Sequence, residues 1–299
     1  MSKLNLLVSH TDMNSFCSAW IKPALEDFNI IYFQDGKQYS KKDTIIVTGC
    51  INQSKWFQDL YLDGFKIVID NLWEPIQSTN LVGHQCANRN WFWYNESLWY
   101  RHRNLHTYVP NKKYEKDAFV PMNLKKSFRD KLYKIILSYE NKFLYSYRDM
   151  GRYLPNDSQD KEWQRHFNAD WYNDTCYSIV AETLVDADKP LFITEKTFKP
   201  LAFRHPFMIV GQIKLLRWLH FLGFVTYDNL FDESYDQIAD IDKKLSVIQK
   251  NIENFSKRPY DNLTLEKIEH NHNLFYDQQQ VLYRIKQEIV DPIRNYAET

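Results

Sequence analysis

Thr194, Glu195 and Lys196 stand together directly before a run in which Phe198, Leu201 and Ala202 recur at helical spacing. A threonine oxygen can accept an amide hydrogen bond at a helix start, so Thr194 is an N-cap candidate. Glu195 and Lys196 then fall in the first turn. A cationic side chain beside the free amides of a helix N-terminus is a place to hold a phosphate. An ordinary αβ unit whose Glu and Lys are merely solvated would read the same way. Two other patterns bear on chemistry. Asp186-Ala-Asp188 has the DxD form that can hold a divalent ion through oxygen ligands, but it sits beside Lys189-Pro190 and reads as a surface turn. His270-Asn-His272 is too closely spaced for a zinc pair on a helix and reads as a cap of the final helix.

The elements that must position Glu195 and Lys196 are short apolar segments. Tyr177–Val180 and Phe207–Val210 flank them and read as buried strands, giving strand, loop, helix, strand. Upstream, Leu4–Val8, Ile30–Phe33, Thr44–Val47 and Lys66–Ile69 read as strands. Helices are expected over Ser15–Leu25 and Gln53–Leu62. Trp91–Tyr94 reads as a further strand and Glu96–Arg103 as a short helix. Ala118–Val120 and residues 142–146 are strands around a helix carrying Leu132, Ile135 and Ile136. Residues 149–174 are polar and irregular and could form a loop over a site, with Arg148, Arg152, Arg165 and His166 in or beside it. Leu215–Leu222 reads as a helix, Phe224–Thr226 as a strand, and the chain is helical from Asp236 onward. Strands alternating with helices argue for an α/β fold with parallel sheets covered on both faces. The expected organisation is an N-terminal half over residues 1–108, a C-terminal half over 116–275 and a closing helix over 276–299.

Composition excludes several classes. With 44% hydrophobic and 25% charged residues, the 299-residue chain is that of an ordinary globular protein, and its formal net charge of +0 advertises neither nucleic acid nor membrane. No run approaches the roughly 18 apolar residues of a membrane span, and no signal peptide opens the sequence. Cys17, Cys50, Cys86 and Cys176 are widely spaced with no CxxC, which fits reduced thiols in a cytoplasmic setting. There is no GxGxxG or GxxxxGK among the seven glycines, against dinucleotide oxidoreductases and P-loop NTPases. No nucleophile elbow or Ser-His-Asp pattern points to a hydrolase. Residues 101–129 hold eight Lys/Arg against Glu115 and Asp117, a solvated surface or a place for phosphate.

Over roughly residues 117–228 the sequence resembles the nucleotide-sugar-binding half of the α-1,3-fucosyltransferase family and its phage and bacterial relatives. The residues carrying the resemblance are Ala181-Glu182-Thr183, a spacer, and Phe192-Ile-Thr-Glu195-Lys196. The strand Pro206-Phe-Met-Ile-Val-Gly211 follows, and Asn123 stands with Arg129 six residues on. The resemblance implies a GT-B-like glycosyltransferase: two Rossmann-like domains facing a cleft, with the donor on the C-terminal half. It implies that Arg129 and Lys196 bind the donor diphosphate, that Glu195 contacts the ribose or the sugar, and that Glu182 contacts the donor sugar. Asn123 and Thr194 complete the expected donor site. Thr183 stands where the family has Asn, and Phe192 where it has Tyr, so the donor's base and sugar, UDP- or GDP-linked, stay open.

Inverting, metal-independent transfer needs a base on the acceptor half to deprotonate the acceptor hydroxyl. His10, Asp12, Asp70 and Glu74 follow strand ends there, and Asp12 is the first choice. The acceptor is a glycan or lipid-linked sugar. The alternative is a hydroxymethylated pyrimidine in DNA, as for phage enzymes acting in a host cytoplasm; the basic segment and the many Trp and Tyr could hold a backbone and a flipped base. A second alternative is a binding module that keeps the nucleotide-sugar pocket without catalysis. No cofactor is expected beyond the donor substrate.

Overall fold

The computed structural model describes residues 4–8, 28–32, 44–48, 66–69, 84–85, 90–157, 166–189 and 191–298. Contacts divide the chain into two units, Met1–His102 with Asp277–Thr299, and Arg103–Tyr276.

In the first unit, β1 (Leu4–Val8), β2 (Phe28–Tyr32), β3 (Thr44–Thr48), β4 (Lys66–Ile69) and β5 (His84–Gln85) form a sheet in the order β2-β1-β3-β4-β5. Every pairing is parallel, with Leu6 opposite Ile30 on one side and Ile45 on the other. The near-continuous apolar runs of these strands suit a sheet covered on both faces. The strand expected at Trp91–Tyr94 is instead the first turn of helix α1 (Trp91–His102). Every residue from Trp91 to Tyr100 is buried, so no polar face marks the 3.6-residue period, and an aromatic run then looks like a strand.

The second unit contains β6 (Lys116–Met122), α2 (Ser127–Leu137), β7 (Phe143–Tyr147), α3 (Ala169–Asp174), β8 (Thr175–Ala181), α4 (Glu195–Ala202), β9 (Phe207–Val210), α5 (Leu215–Leu222), α6 (Ile241–Asn254) and α7 (Asn262–Phe275). Its sheet runs β7-β6-β8-β9, again all parallel. β8 is buried at all seven positions. The chain leaves β6 toward β7 and then returns to β8 on the other side of β6. The strand order therefore reverses between β6 and β8, and ligands of open α/β sheets lie outside the carboxyl ends of strands at such a point.

Phe224–Thr226 is not a strand. The Asn271 side chain accepts from the Val225 amide and donates to its carbonyl, both at 2.8 Å, and so takes the place of a neighbouring strand. His270 and His272 do not cap the final helix. They lie within α7, where His270 Nε2 bonds the Gly223 carbonyl at 2.8 Å and His272 is buried. Helices α8 (Gln278–Ile285) and α9 (Asp291–Glu298) follow, joined by a π turn at Lys286–Val290, and group with the first unit. Tyr94 Oη donates to Glu288 at 2.7 Å, and Arg284 lies over the Trp93 ring at 5.4 Å. Cys176 is a buried free thiol, and burial raises its pKa to about 11, which disfavours the thiolate. Cys17, Cys50 and Cys86 lie outside the described residues. Among the described residues no helix is long and apolar enough to cross a membrane.

Candidate functional site

A pocket of about 70 Å³ opens at the strand-order reversal. Met122 and Asn123 line it after β6, Ser146 and Arg148 at the end of β7, and Ser178, Val180 and Ala181 along β8. Glu195, Lys196 and Lys199 come from α4, while Phe119, Leu154, Trp171 and Tyr172 give it an apolar wall.

The N-terminus of α4 is built as its sequence suggests. Thr194 has extended backbone, its Oγ1 accepts from the Lys196 amide, and it is 2% exposed. Glu195 lies in the first turn, where a carboxylate is favoured by the helix dipole. Burial pushes the Glu195 pKa up, but the Lys196 charge and hydrogen bond, together with Lys199, outweigh it and hold the carboxyl below its ordinary value. Glu195 is therefore ionised at neutral pH. Lys196 Nζ bonds Glu195 Oε1 at 2.7 Å and makes long contacts of 3.3 and 3.4 Å to the Thr194 and Thr183 hydroxyls. An incoming anion could exchange those long contacts for charge-assisted ones.

Behind this helix start lies a brace. Glu182, the first residue after β8, is fully buried. One carboxylate oxygen accepts from the Thr194 amide at 3.1 Å and the Thr197 hydroxyl at 2.6 Å. The other accepts from the Thr183 amide at 2.9 Å and the Thr194 hydroxyl at 2.7 Å. The resemblance implied contact between Glu182 and a donor sugar; the carboxylate is instead occupied by its own chain and has no exposed surface. Gly211 makes room for it, since a Cβ there would come within 3.2 Å of the Glu182 Cβ and 3.0 Å of Leu215.

Arg129 also differs from its expectation. Its guanidinium donates to the carbonyls of Leu124, Ala181 and Glu182 at 2.8–3.0 Å, it is 2% exposed, and it is not among the residues lining the pocket. Burial lowers its pKa while the Glu182 carboxylate opposes that shift. Arg129 thus ties α2 to the end of β8 rather than facing a diphosphate. Asn123, Glu195 and Lys196 do reach the pocket, and Thr194 and Glu182 stand directly behind them. His10, Asp12, Asp70 and Glu74 lie outside the described residues. His10 and Asp12 follow β1, and Asp70 and Glu74 follow β4, two strands of one parallel sheet.

Three further features shape the pocket; Arg148 stood in the sequence only beside a stretch that could cover a site, and the other two had no counterpart there. Arg148 lines the pocket, and its Nε pairs with Asp157 at 3.8 Å. Lys199, one turn beyond Glu195, adds a further cation. Ser178 meets His205: Oγ lies 2.7 Å from Nδ1, while Nε2 lies 3.1 Å from the Thr175 carbonyl. The carbonyl only accepts, so Nε2 carries the proton and Nδ1 accepts from Ser178. Burial holds the His205 pKa well below its ordinary value, so the ring is neutral. With a carbonyl where a catalytic triad has a carboxylate, this pair fixes the Ser178 hydroxyl as an acceptor toward the pocket.

Several lysines of the basic segment are engaged by the second unit itself, some of them at its surface. Lys112 donates to the carbonyls of Tyr172 and Thr175, Lys116 to Asn141, and Lys126 to Thr183, while Lys113 pairs with Asp174. Asp186 and Asp188 lie on an exposed turn, with Asp186 paired to Lys189 at 3.5 Å. Among the described residues no three His, Cys, Asp or Glu side chains converge as a metal site.

No protein-family model and no curated protein matches the chain. Solved structures do. A crystal structure of an α1,3-fucosyltransferase aligns with a TM-score of 0.50 at 11% identity, covering 93% of this chain and 91% of that one. A crystal structure of an α1,3-fucosyltransferase with GDP aligns with a TM-score of 0.52 at 12% identity, covering 94% and 89%. The similarity is one of fold: the chain is α/β and GT-B-like.

Proposed function

We propose that the chain is a glycosyltransferase that takes a sugar from a nucleotide-sugar donor bound on its second unit. The observation that carries this reading is the Thr194-capped start of α4, which brings Glu195 and Lys196 into a pocket at the strand-order reversal. A diphosphate leaving group gains negative charge as the glycosidic bond breaks, and a fixed ammonium at a helix N-terminus stabilises that charge. Glu195, ionised and beside Lys196, is placed to accept hydrogen bonds from ribose or sugar hydroxyls. Glu182 and Arg129 act behind them by fixing the helix start. The fold supports the same reading, since one structure that it resembles is that of an α1,3-fucosyltransferase with GDP.

Transfer in this reading is inverting and independent of a metal, with lysine and amides doing the work of a divalent ion. The base comes from the first unit, with Asp12 ahead of His10, Asp70 and Glu74. The acceptor is a hydroxyl on a glycan. The engagement of Lys112, Lys113, Lys116 and Lys126 within the unit gives no support to a DNA acceptor.

A thermal-shift screen of UDP- and GDP-sugars tests this. A ligand that binds only the folded state raises the melting temperature by mass action. One donor class is expected to do so and to support transfer or slow hydrolysis. If no sugar nucleotide shifts the transition, the reading fails; a shift without turnover would leave a binding module.

A further inference from the structure

With Arg129 committed to three carbonyls, the second cation for a diphosphate has to come from elsewhere. Arg148 is the arginine that lines the pocket. It is the first residue after β7, at the start of a one-turn 3-10 segment (Arg148–Met150). That turn is closed by Gly151 in a left-handed conformation, φ 73°, which favours glycine. Tyr147 and Arg152 bridge its base, with N···O distances of 2.9 and 3.2 Å, so the backbone under Arg148 is fixed. The guanidinium lies over the Tyr153 ring, 5.6 Å from its centre, and the Asp157 carboxylate stands 3.8 Å from Nε. Both side chains are largely buried, 14% and 9% exposed. At 3.8 Å the pair is an ion pair without a direct hydrogen bond. Asp157 therefore balances the charge without fixing the guanidinium by a short bond.

We propose that Arg148 is the second phosphate-binding residue, gripping a nucleoside diphosphate from the β7 side while Lys196 holds it from the α4 side. The planar guanidinium suits two phosphate oxygens at once, which a lysine does not match. The Tyr153 ring lies against the guanidinium, and Asp157 supplies its counter-charge. This inference rests on the donor-site reading above.

Calorimetric titration of UDP and GDP into the full-length protein and its variants tests it. Arg148→Gln should weaken whichever diphosphate the wild type binds by ten-fold or more, and weaken the matching nucleoside monophosphate by a smaller factor. The variant leaves the buried Asp157 carboxylate without this partner, so its melting temperature should fall, and affinities are compared below that transition. Arg148→Lys should fall between the two. Asp157→Asn, which removes a negative charge next to the bound anion, should bind the diphosphate several-fold more tightly, and it decides the matter if Arg148→Gln folds poorly. Unchanged diphosphate affinity in Arg148→Gln, or weakened affinity in Asp157→Asn, overturns the assignment while the donor site stands. A wild type that binds neither UDP, GDP nor their sugars removes the donor reading and this inference together.

Discussion

Two charged groups of the second unit, Glu182 with Arg129 and Lys196 with Arg148 and Asp157, are built in opposite ways. At the end of β8, Glu182 and Arg129 are buried, and the Glu182 carboxylate and the two terminal nitrogens of Arg129 are hydrogen-bonded by their own chain, while Arg129 Nε has no hydrogen-bond partner among the described residues. At the pocket, Lys196 adds contacts of 3.3 and 3.4 Å to two hydroxyls beside its short bond to Glu195, and Arg148 stands 3.8 Å from Asp157. A buried charge is tolerable only when paired and hydrogen-bonded, so the Glu182 and Arg129 groups are suited to fixing geometry. Groups with exchangeable partners are suited to binding. The difference assigns scaffold and ligand roles to residues that look interchangeable in a list of motifs.

The largest expected effect comes from breaking the Glu182 side. Glu182→Ala leaves the Thr194 and Thr183 amides and two hydroxyls without their acceptor. Each unsatisfied buried group costs about 1–3 kcal/mol, so denaturant unfolding should show a loss of at least about 3 kcal/mol. A loss under about 1 kcal/mol would mean that the brace is not structural. Next comes acidification, which separates both regions from a third site. His272 is 4% exposed, and burial, with Arg204 adding to it, lowers its pKa to about 4. A histidine depressed in the fold binds its proton more readily when unfolded. Its stability contribution is full above the unfolded value near 6.5 and is lost as pH falls toward 4. The cost is on the order of 3 kcal/mol, and His272→Leu should flatten that part of the stability–pH curve. An unchanged curve would show that the imidazole does not titrate as placed. On the pocket side, Lys196→Ala should cost donor affinity about ten-fold or more while changing stability by less than about 1 kcal/mol, measured by titration and melting. The smallest effect belongs to Asp186→Asn and Asp188→Asn on their exposed turn. Stability should move within about 0.5 kcal/mol, with donor binding unaltered in excess EDTA. A metal-dependent loss there would make this turn part of the site.

Much of this architecture is legible in the chain because it is local. The apolar runs of β1, β4, β8 and β9, the Thr194 cap and the glycine at 211 are all readable from neighbours in sequence. What stayed hidden depends on distance. Arg129 and Glu182 match a donor motif, yet nothing local says that one will turn to carbonyls 52 and 53 residues away. The pairing of Ser178 with His205 and the substitution of Asn271 for a strand at Val225 likewise arise only from packing. The Trp91–Tyr94 run misled for a different reason: a helix buried on all sides carries no periodic polar face.

The central claim is that the start of α4 holds a donor phosphate. Calorimetric titration of Lys196→Ala against wild type, using the sugar nucleotide identified in the thermal screen, tests it most directly. The account predicts binding to the wild type, an affinity about ten-fold or more weaker in the variant, and matching melting temperatures. Equal affinities in two equally stable proteins would contradict it.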